Sequence, residues 1–268
     1  MKKRWREILQ LFEEQNNLTV GEISARIGLS EVMVRKYLTE LDSEGLLHRK
    51  HGSASSLHDQ SVPSFEAREW IQMDEKHCIA KEVSYLIHDG DSVIMDAGTT
   101  TLAVAKFIKH KKISIVTNSL PIGMELADLP GTVSLTGGDL ISGSMALYGP
   151  DTTNFLNQIR VNKVILGTSG FRNDFGFTTS SSIEAAVKQK MIECAKEVIV
   201  ALDHTKFTRM NLANIAPFSV IQTVVTSELA PIDAVKILKA QGIQVIIAKL
   251  SQSESPYSNI KTYKGAIV

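Results

Sequence analysis

The sequence predicts an α/β protein: an N-terminal winged helix-turn-helix followed by a mostly parallel α/β domain. Three observations carry that expectation. Between Thr19 and Ser53, two short helical patterns joined by a glycine precede a basic hairpin. From Asp91 onward, short apolar runs alternate with amphipathic helices. Five successive apolar runs end in small, hydroxylated or charged residues, where ligands bind in such sheets.

The elements follow in order. Ile8, Leu9, Leu11 and Phe12 supply a first helix. Thr19, with Glu22 three residues on, reads as a capping box opening a second. Ile23 and Ile27 share one face, and Gly28 suits the left-handed residue that ends the helix. Ser30 is a natural N-cap for the next helix, which buries Val34, Leu38 and Leu41 at i, i+4, i+7. That spacing leaves Met33, Arg35, Lys36 and Tyr37 largely on other faces. Leu46 and Leu47 lead into His48-Arg49-Lys50-His51-Gly52, a wing whose cations can meet phosphates. The arrangement is one that presents a helix to the DNA major groove. Ser30, Met33, Arg35, Lys36, Tyr37, Arg49, Lys50 and His51 are the candidate DNA-contacting residues.

The stretch Ser53 to about Pro63 is polar and aperiodic and reads as a linker. One helical pattern runs from Phe65 past Met73 and Ile79 toward Leu86. Strands are expected at Ser92–Met95, Ile113–Val116, Val133–Leu135, Val164–Leu166, Val198–Leu202, Val224–Thr226 and Val245–Ile247. Helices are expected around Thr100–His110, Pro121–Asp128, Thr152–Arg160, Ile183–Ala195 and Pro231–Gln241. Strands that are apolar throughout imply a sheet covered on both faces. The expected division is 1–58 for the winged helix, 59–75 for the connection, 76–250 for the α/β domain, and a polar tail 251–268.

Composition sets outer bounds. The 268 residues are 43% hydrophobic and 22% charged, with zero formal net charge. Residues 1–58 hold nine Lys/Arg against eight Asp/Glu. A DNA footprint must therefore come from segregation of charge onto one face. No apolar run approaches a membrane span, and the basic N-terminus lacks the apolar stretch of a secretory signal. Cys78 and Cys194 lack metal-ligand spacing, as do His77, His88, His110 and His204. Reduced thiols in a cytoplasmic protein with no metal or cofactor are the expectation.

The strand-end clusters carry the binding chemistry. Asp96-Ala97-Gly98-Thr99-Thr100-Thr101 follows the first strand and opens a helix, whose N-terminus favours an anion. Thr117-Asn118-Ser119, then Thr136-Gly137-Gly138, Gly167-Thr168-Ser169-Gly170 and Asp203-His204-Thr205-Lys206 follow the next four. Each cluster alone could simply cap a helix; together they suggest one pocket for a polyhydroxylated, phosphorylated molecule. Its candidate residues are Asp96, Gly98, Thr99, Thr100, Thr101, Thr117, Asn118, Ser119, Gly137, Gly138, Ser169, Gly170, Asp203 and Lys206. Lys206 would supply a cation, and Asp96 and Asn118 would meet sugar hydroxyls. An enzyme, a sugar-phosphate isomerase or deaminase with an accessory N-terminal domain, is the rival reading. It needs a positioned carboxylate. Leu166-Gly167-Thr168-Ser169-Gly170 offers none, leaving Glu184 and Asp96 as candidate bases.

Over roughly residues 3–250 the chain resembles the DeoR family of bacterial transcriptional regulators. The matching segments are LSEVMVRKYL (29–38), LDSEGLLHRKHGSA (41–54), DAGTT (96–100), TNS (117–119), Gly137–Gly138, YGPD (148–151), Gly167–Gly170, GFTT (176–179) and Asp203–Phe207. Met33 and Tyr37 stand where the family usually has Thr and Asp, and Gly–Ser replaces Gly–Gly in the wing. The resemblance implies a sensor domain similar to ribose-5-phosphate isomerases and glucosamine-6-phosphate deaminases. It also implies a repressor of sugar-catabolic genes that answers to a phosphorylated sugar. Operator DNA, a phosphosugar effector and further copies of the chain (dimer or tetramer) are the expected partners, with no membrane.

Overall fold

The computed structural model describes residues 2–15, 17–55 and 65–250. The predicted tail and most of the predicted linker lie outside them. The N-terminal domain runs α1 (Lys2–Glu14), β1 (Asn17–Thr19), α2 (Val20–Ile27), α3 (Glu31–Ser43), β2 (His48–Lys50) and β3 (Ser53–Ser55). The predicted caps form. Thr19 Oγ1 accepts from Glu22 N at 3.2 Å while Thr19 N donates to Glu22 Oε2 at 2.7 Å. Gly28 takes φ 66°, and the Ser30 side chain accepts from Met33 N. Ile8, Ile23, Val34, Leu38 and Leu41 are fully buried together, each contributing about 1.5–3 kcal/mol.

Two expectations change here. Ser53–Ser55 is not linker but the central strand of a three-stranded sheet, ordered β1-β3-β2. Tyr37 is half-buried against the domain core rather than free on the reading face.

The predicted single helix over 65–86 is two: α4 (Phe65–Trp70) and α5 (Met73–Tyr85), broken at Gln72 with φ 53°. The chain continues through β4 (Ser92–Met95), α6 (Thr99–Ile108), β5 (Ser114–Thr117), α7 (Leu120–Glu125), β6 (Thr132–Leu135), β7 (Asp139–Ile141), β8 (Ala146–Tyr148) and α8 (Pro150–Asn157). Then come β9 (Val161–Gly167), β10 (Gly170–Arg172), β11 (Gly176–Thr179), α9 (Ser182–Glu193), β12 (Ala195–Ala201), a 3-10 turn (His204–Thr208), β13 (Ala213–Ala216), β14 (Thr223–Ser227), α10 (Ile232–Ala240) and β15 (Gln244–Ala248).

All seven predicted strands form one parallel sheet, ordered β15-β14-β12-β9-β4-β5-β6. Its inner strands bury both faces. Ile94, Val164, Val200 and Val224 face α8, α9 and α10, whereas Val93, Ile165, Ile199 and Val225 face α5, α6 and α7. Both parities are apolar, so these strands read as continuous apolar runs. The chain builds outward from β4 to β6, then returns to add β9 on the other side of β4. The crevice of an open sheet lies at such a reversal, at the carboxyl ends of the two strands. Here those ends carry Asp96 and Gly167.

Candidate DNA interface and ligand cleft

The exposed face of α3 carries Val32, Met33, Arg35 and Lys36. Arg35 pairs with Glu31 one turn back at 2.6 Å, with both side chains half-exposed. The wing is anchored to the same helix: Arg49 N donates to Asp42 Oδ1 at 2.9 Å and Arg49 Nη1 to Thr39 Oγ1 at 2.6 Å. Lys50 and His51 are exposed beside it. Ser30 acts through its cap, fixing where α3 begins. The structure therefore brings Met33, Arg35, Lys36, Arg49, Lys50 and His51 to the surface and turns Tyr37 partly inward.

At the sheet's carboxyl edge several predicted ligand-binding residues are already committed to the protein. Asn118 is fully buried; its Oδ1 accepts from Ala97 N at 3.0 Å and its Nδ2 donates to Leu147 O at 3.2 Å. Thr117 Oγ1 donates to Met95 O at 2.7 Å, and Ser119 caps α7. This triplet splices the ends of β4 and β5 and the β7–β8 hairpin together. Gly138, with φ 111°, packs so closely that a Cβ would stand 2.3 Å from Tyr148 O. A Cβ on Gly170 would stand 2.4 Å from Arg209 O. Both glycines serve backbone packing. Gly137 O accepts from Thr152 Oγ1 at 2.6 Å. Ser169 N donates to Thr178 O at 3.1 Å, anchoring the start of the β10–β11 hairpin.

Asp96 corrects the expectation of a sugar-hydroxyl contact. It is buried against Lys188 Nζ of α9 and accepts from Gly167 N at 3.1 Å, tying β4 to β9. Lys188 also donates to Gly167 O at 3.1 Å and lies 3.3 Å from Glu184. Burial raises the Asp96 carboxyl pKa. Burial works against the Lys188 ammonium, but Asp96 and Glu184 together hold its pKa above the ordinary value. Tyr148, buried beside the same acids, is pushed up to about 12. Both candidate bases of the enzyme reading are thus engaged with one ammonium.

On the other flank of the switch point stand Asp203 and Lys206. Asp203 caps the 3-10 turn, accepting from Thr205 N at 3.0 Å, and its Oδ2 is buried without a hydrogen bond, 3.7 Å from Lys206 Nζ. Burial opposes its charge, but Lys206 and Lys76 hold its pKa below the usual carboxylate range. Glu75 supports this loop: Oε1 accepts from His204 N at 2.7 Å and from Ser227 Oγ at 2.5 Å, and Oε2 lies 2.7 Å from His204 Nδ1. Glu75, Asp203 and His204 converge in space. The hydrogen bonds already filling Glu75, with two ammoniums facing Asp203, suit loop support better than a cation.

Sequence reading missed Lys76, Glu75 and Lys188. A signal existed: Lys76 falls on the stripe of Ile79, Ala80 and Val83, and Lys188 on that of Ala185 and Met191, so each is a lysine at a buried helical position. Lys76 Nζ donates to Arg68 O and, at 2.6 Å, to Ile71 O. Burial brings its pKa down to about 7, with Asp203 opposing the fall and Lys206 adding to it. Between that value and the ordinary 10.5 the unfolded chain binds more protons. Lys76 therefore carries a stability penalty that is full below pH about 7 and relieved as pH rises toward about 10. In urea titrations, wild-type protein should gain stability relative to Lys76→Met over that window; a constant difference would mean the ammonium is solvated.

Next to Lys76, a cleft of about 290 Å³ opens between α4, α5, α6 and α7, with Thr99, Lys106 and Phe107 in its walls. Of the predicted ligand residues, Thr99 lines it. α5, α6, α8 and α10 all begin without a side-chain cap bond; at α6 the N-cap position is Gly98. Thr99, Thr100 and Thr101 open α6, and Thr101 Oγ1 bonds back to Gly98 O at 2.9 Å.

A wing-bearing helix-turn-helix joined to a parallel α/β domain is the arrangement of a two-domain transcription factor with a sensor domain. The chain belongs to the DeoR family: residues 4–60 match the DeoR-like helix-turn-helix domain and residues 71–228 the DeoR C-terminal sensor domain. It is 30% identical to a putative aga operon transcriptional repressor of Escherichia coli over 91% of this chain and 93% of that one. It is 34% identical to the transcriptional repressor AccR of Agrobacterium fabrum, over 83% and 88%. The glycerol-3-phosphate regulon repressor of Escherichia coli is 29% identical over 91% and 97%. Among solved structures, ribose 5-phosphate isomerase A of Methanocaldococcus jannaschii is similar at TM-score 0.39, with 14% identity, over 51% of this chain and 55% of that one. Among the described residues, no helix is long and apolar enough to cross a membrane.

Proposed function

We propose that this protein represses a carbohydrate-utilisation operon and that a phosphorylated sugar bound at the sheet's carboxyl edge modulates its hold on operator DNA. The observation that supports the effector reading is the start of α6, which has no side-chain cap and puts Thr99 into the cleft that Lys76 also lines, with Lys206 close enough to act on the charge of Lys76. Backbone N–H groups at a helix start, reinforced by the helix dipole, favour a phosphate. With Asp96 and Asn118 already bonded within the protein, Thr99–Thr101, Lys76 and Lys206 are the proposed partners of the anion. The names of the relatives, which include a glycerol-3-phosphate regulon repressor, support a phosphorylated polyol or sugar. Paired copies would multiply a modest single-domain affinity, so a dimer or tetramer acting in the cytoplasm fits the reading.

Lys206→Ala tests it. Operator binding without effector should stay within about twofold, while the shift in operator affinity caused by effector, about 5–150-fold for typical coupling, should be lost. A thermal-shift panel of phosphorylated sugars against wild-type protein identifies the ligand first. A variant that keeps the full response would remove Lys206 from the site; a wild-type protein that turned over a panel member would favour the enzyme reading.

A further inference from the structure

The short helix α4 belongs to both cores. Phe65 is buried in the sensor core, whereas Ala67 is buried in the winged-helix core and Trp70 packs against it. Its polar groups tie it to the sensor domain. Arg68 donates to Gly143 O at 3.1 Å, Glu69 accepts from Lys106 at 2.7 Å, and the carbonyls of Arg68 and Ile71 accept from Lys76. Six residues make no independently stable helix, so α4 depends on these ties for its place.

Lys76 has two calls on its charge. On one side are the α4 carbonyls. On the other are Asp203, whose Oδ2 lacks a hydrogen bond, and Lys206, which repels it. The cleft between α4 and α6 reaches the same lysine. A phosphate placed there would offer Lys76 a full negative charge in place of two carbonyl dipoles, and charge-assisted hydrogen bonds are roughly twice as strong as neutral ones.

We propose that Lys76 couples the cleft to the DNA-binding domain: its ammonium holds the C-terminal end of α4, and an anion in the cleft draws it away, freeing the helix on which the winged domain rests. This rests on the reading above only for the anion being the physiological signal. Equal affinity for the held and freed arrangements would shift nothing; the difference here is the ammonium, which serves either α4 or the anion.

The test is hydrogen exchange, read by mass spectrometry over residues 65–76 of the full chain, with and without inorganic phosphate at constant ionic strength. In wild-type protein, phosphate should speed exchange of these amides several-fold. Lys76→Gln should exchange about tenfold faster than wild type without phosphate, reflecting two lost hydrogen bonds, and should not respond further. Lys76→Arg, which keeps the charge, should retain most of the basal protection. Phosphate that binds by calorimetry yet leaves residues 65–76 unchanged overturns the proposal, as does a Lys76→Gln variant protected like wild type. Phosphate that does not bind overturns the effector reading and the anion step with it; the comparison without phosphate then still decides whether Lys76 holds α4. If Lys76→Gln does not fold, the wild-type phosphate response decides.

Discussion

Lys188→Met is expected to destabilise the sensor domain by about 3–5 kcal/mol, the usual cost of removing one partner from a buried ion pair. Lys188 and Asp96 are each 1% exposed. Without the ammonium, the Asp96 carboxylate keeps one bond, from Gly167 N, in a site that excludes water. The charge then has to protonate or drag water between β4 and β9, at the centre of the sheet. Adding Asp96→Asn to Lys188→Met should restore a large part of the loss, because a neutral amide removes the stranded charge. Urea unfolding followed by circular dichroism reads both. A single-variant loss below about 1 kcal/mol, the range of exposed pairs, would mean that the pair is solvated.

Arg35→Ala should weaken operator binding by about 1–3 kcal/mol, roughly 5–150-fold, and relax selectivity at the base it reads. Stability should hardly move, since the exposed pair with Glu31 contributes only about 0.3–0.5 kcal/mol. Lys50→Ala is the informative contrast. A wing contact to phosphate should weaken all sequences alike and lower the salt dependence by about one counterion. Binding to operators selected from a random DNA pool, measured at several salt concentrations, separates the two. Loss of selectivity in Lys50→Ala but not in Arg35→Ala would reverse the assignment of helix and wing.

The helices of the winged domain were legible almost to the residue because their signals are local, whereas its strands β1 and β3 were not. Thr19, Gly28 and Ser30 each act within four residues, through a cap bond or a left-handed φ. The inner sheet strands were legible because both of their faces are buried, leaving short apolar runs, while the edge strands β6 and β15 are partly exposed. The β7–β8 hairpin and the small sheet of β10, β11 and β13 were not legible. They are three or four residues long and held by contacts outside their own segment, such as Asn118 and Arg209. The break at Gln72 was invisible because Phe65–Leu86 keeps a helical apolar pattern across it, while the carbonyls left at the end of α4 are taken by a lysine side chain.

The sequence by itself determined the class of each domain, the strand and helix order, and the edge of the sheet where polar groups gather. Periodicity and capping are short-range, so they can be read without coordinates. Only the tertiary structure decided which of those polar groups already have partners within the protein. Asp96 and Asn118 look like ligand contacts in the sequence, yet partners 92 and 29 residues away complete their hydrogen bonds. Lys76 and Lys188 look like ordinary helix lysines, yet folding removes their water and makes their charge costly. Burial and long-range pairing set what a charged side chain can do, and neither is carried by local pattern.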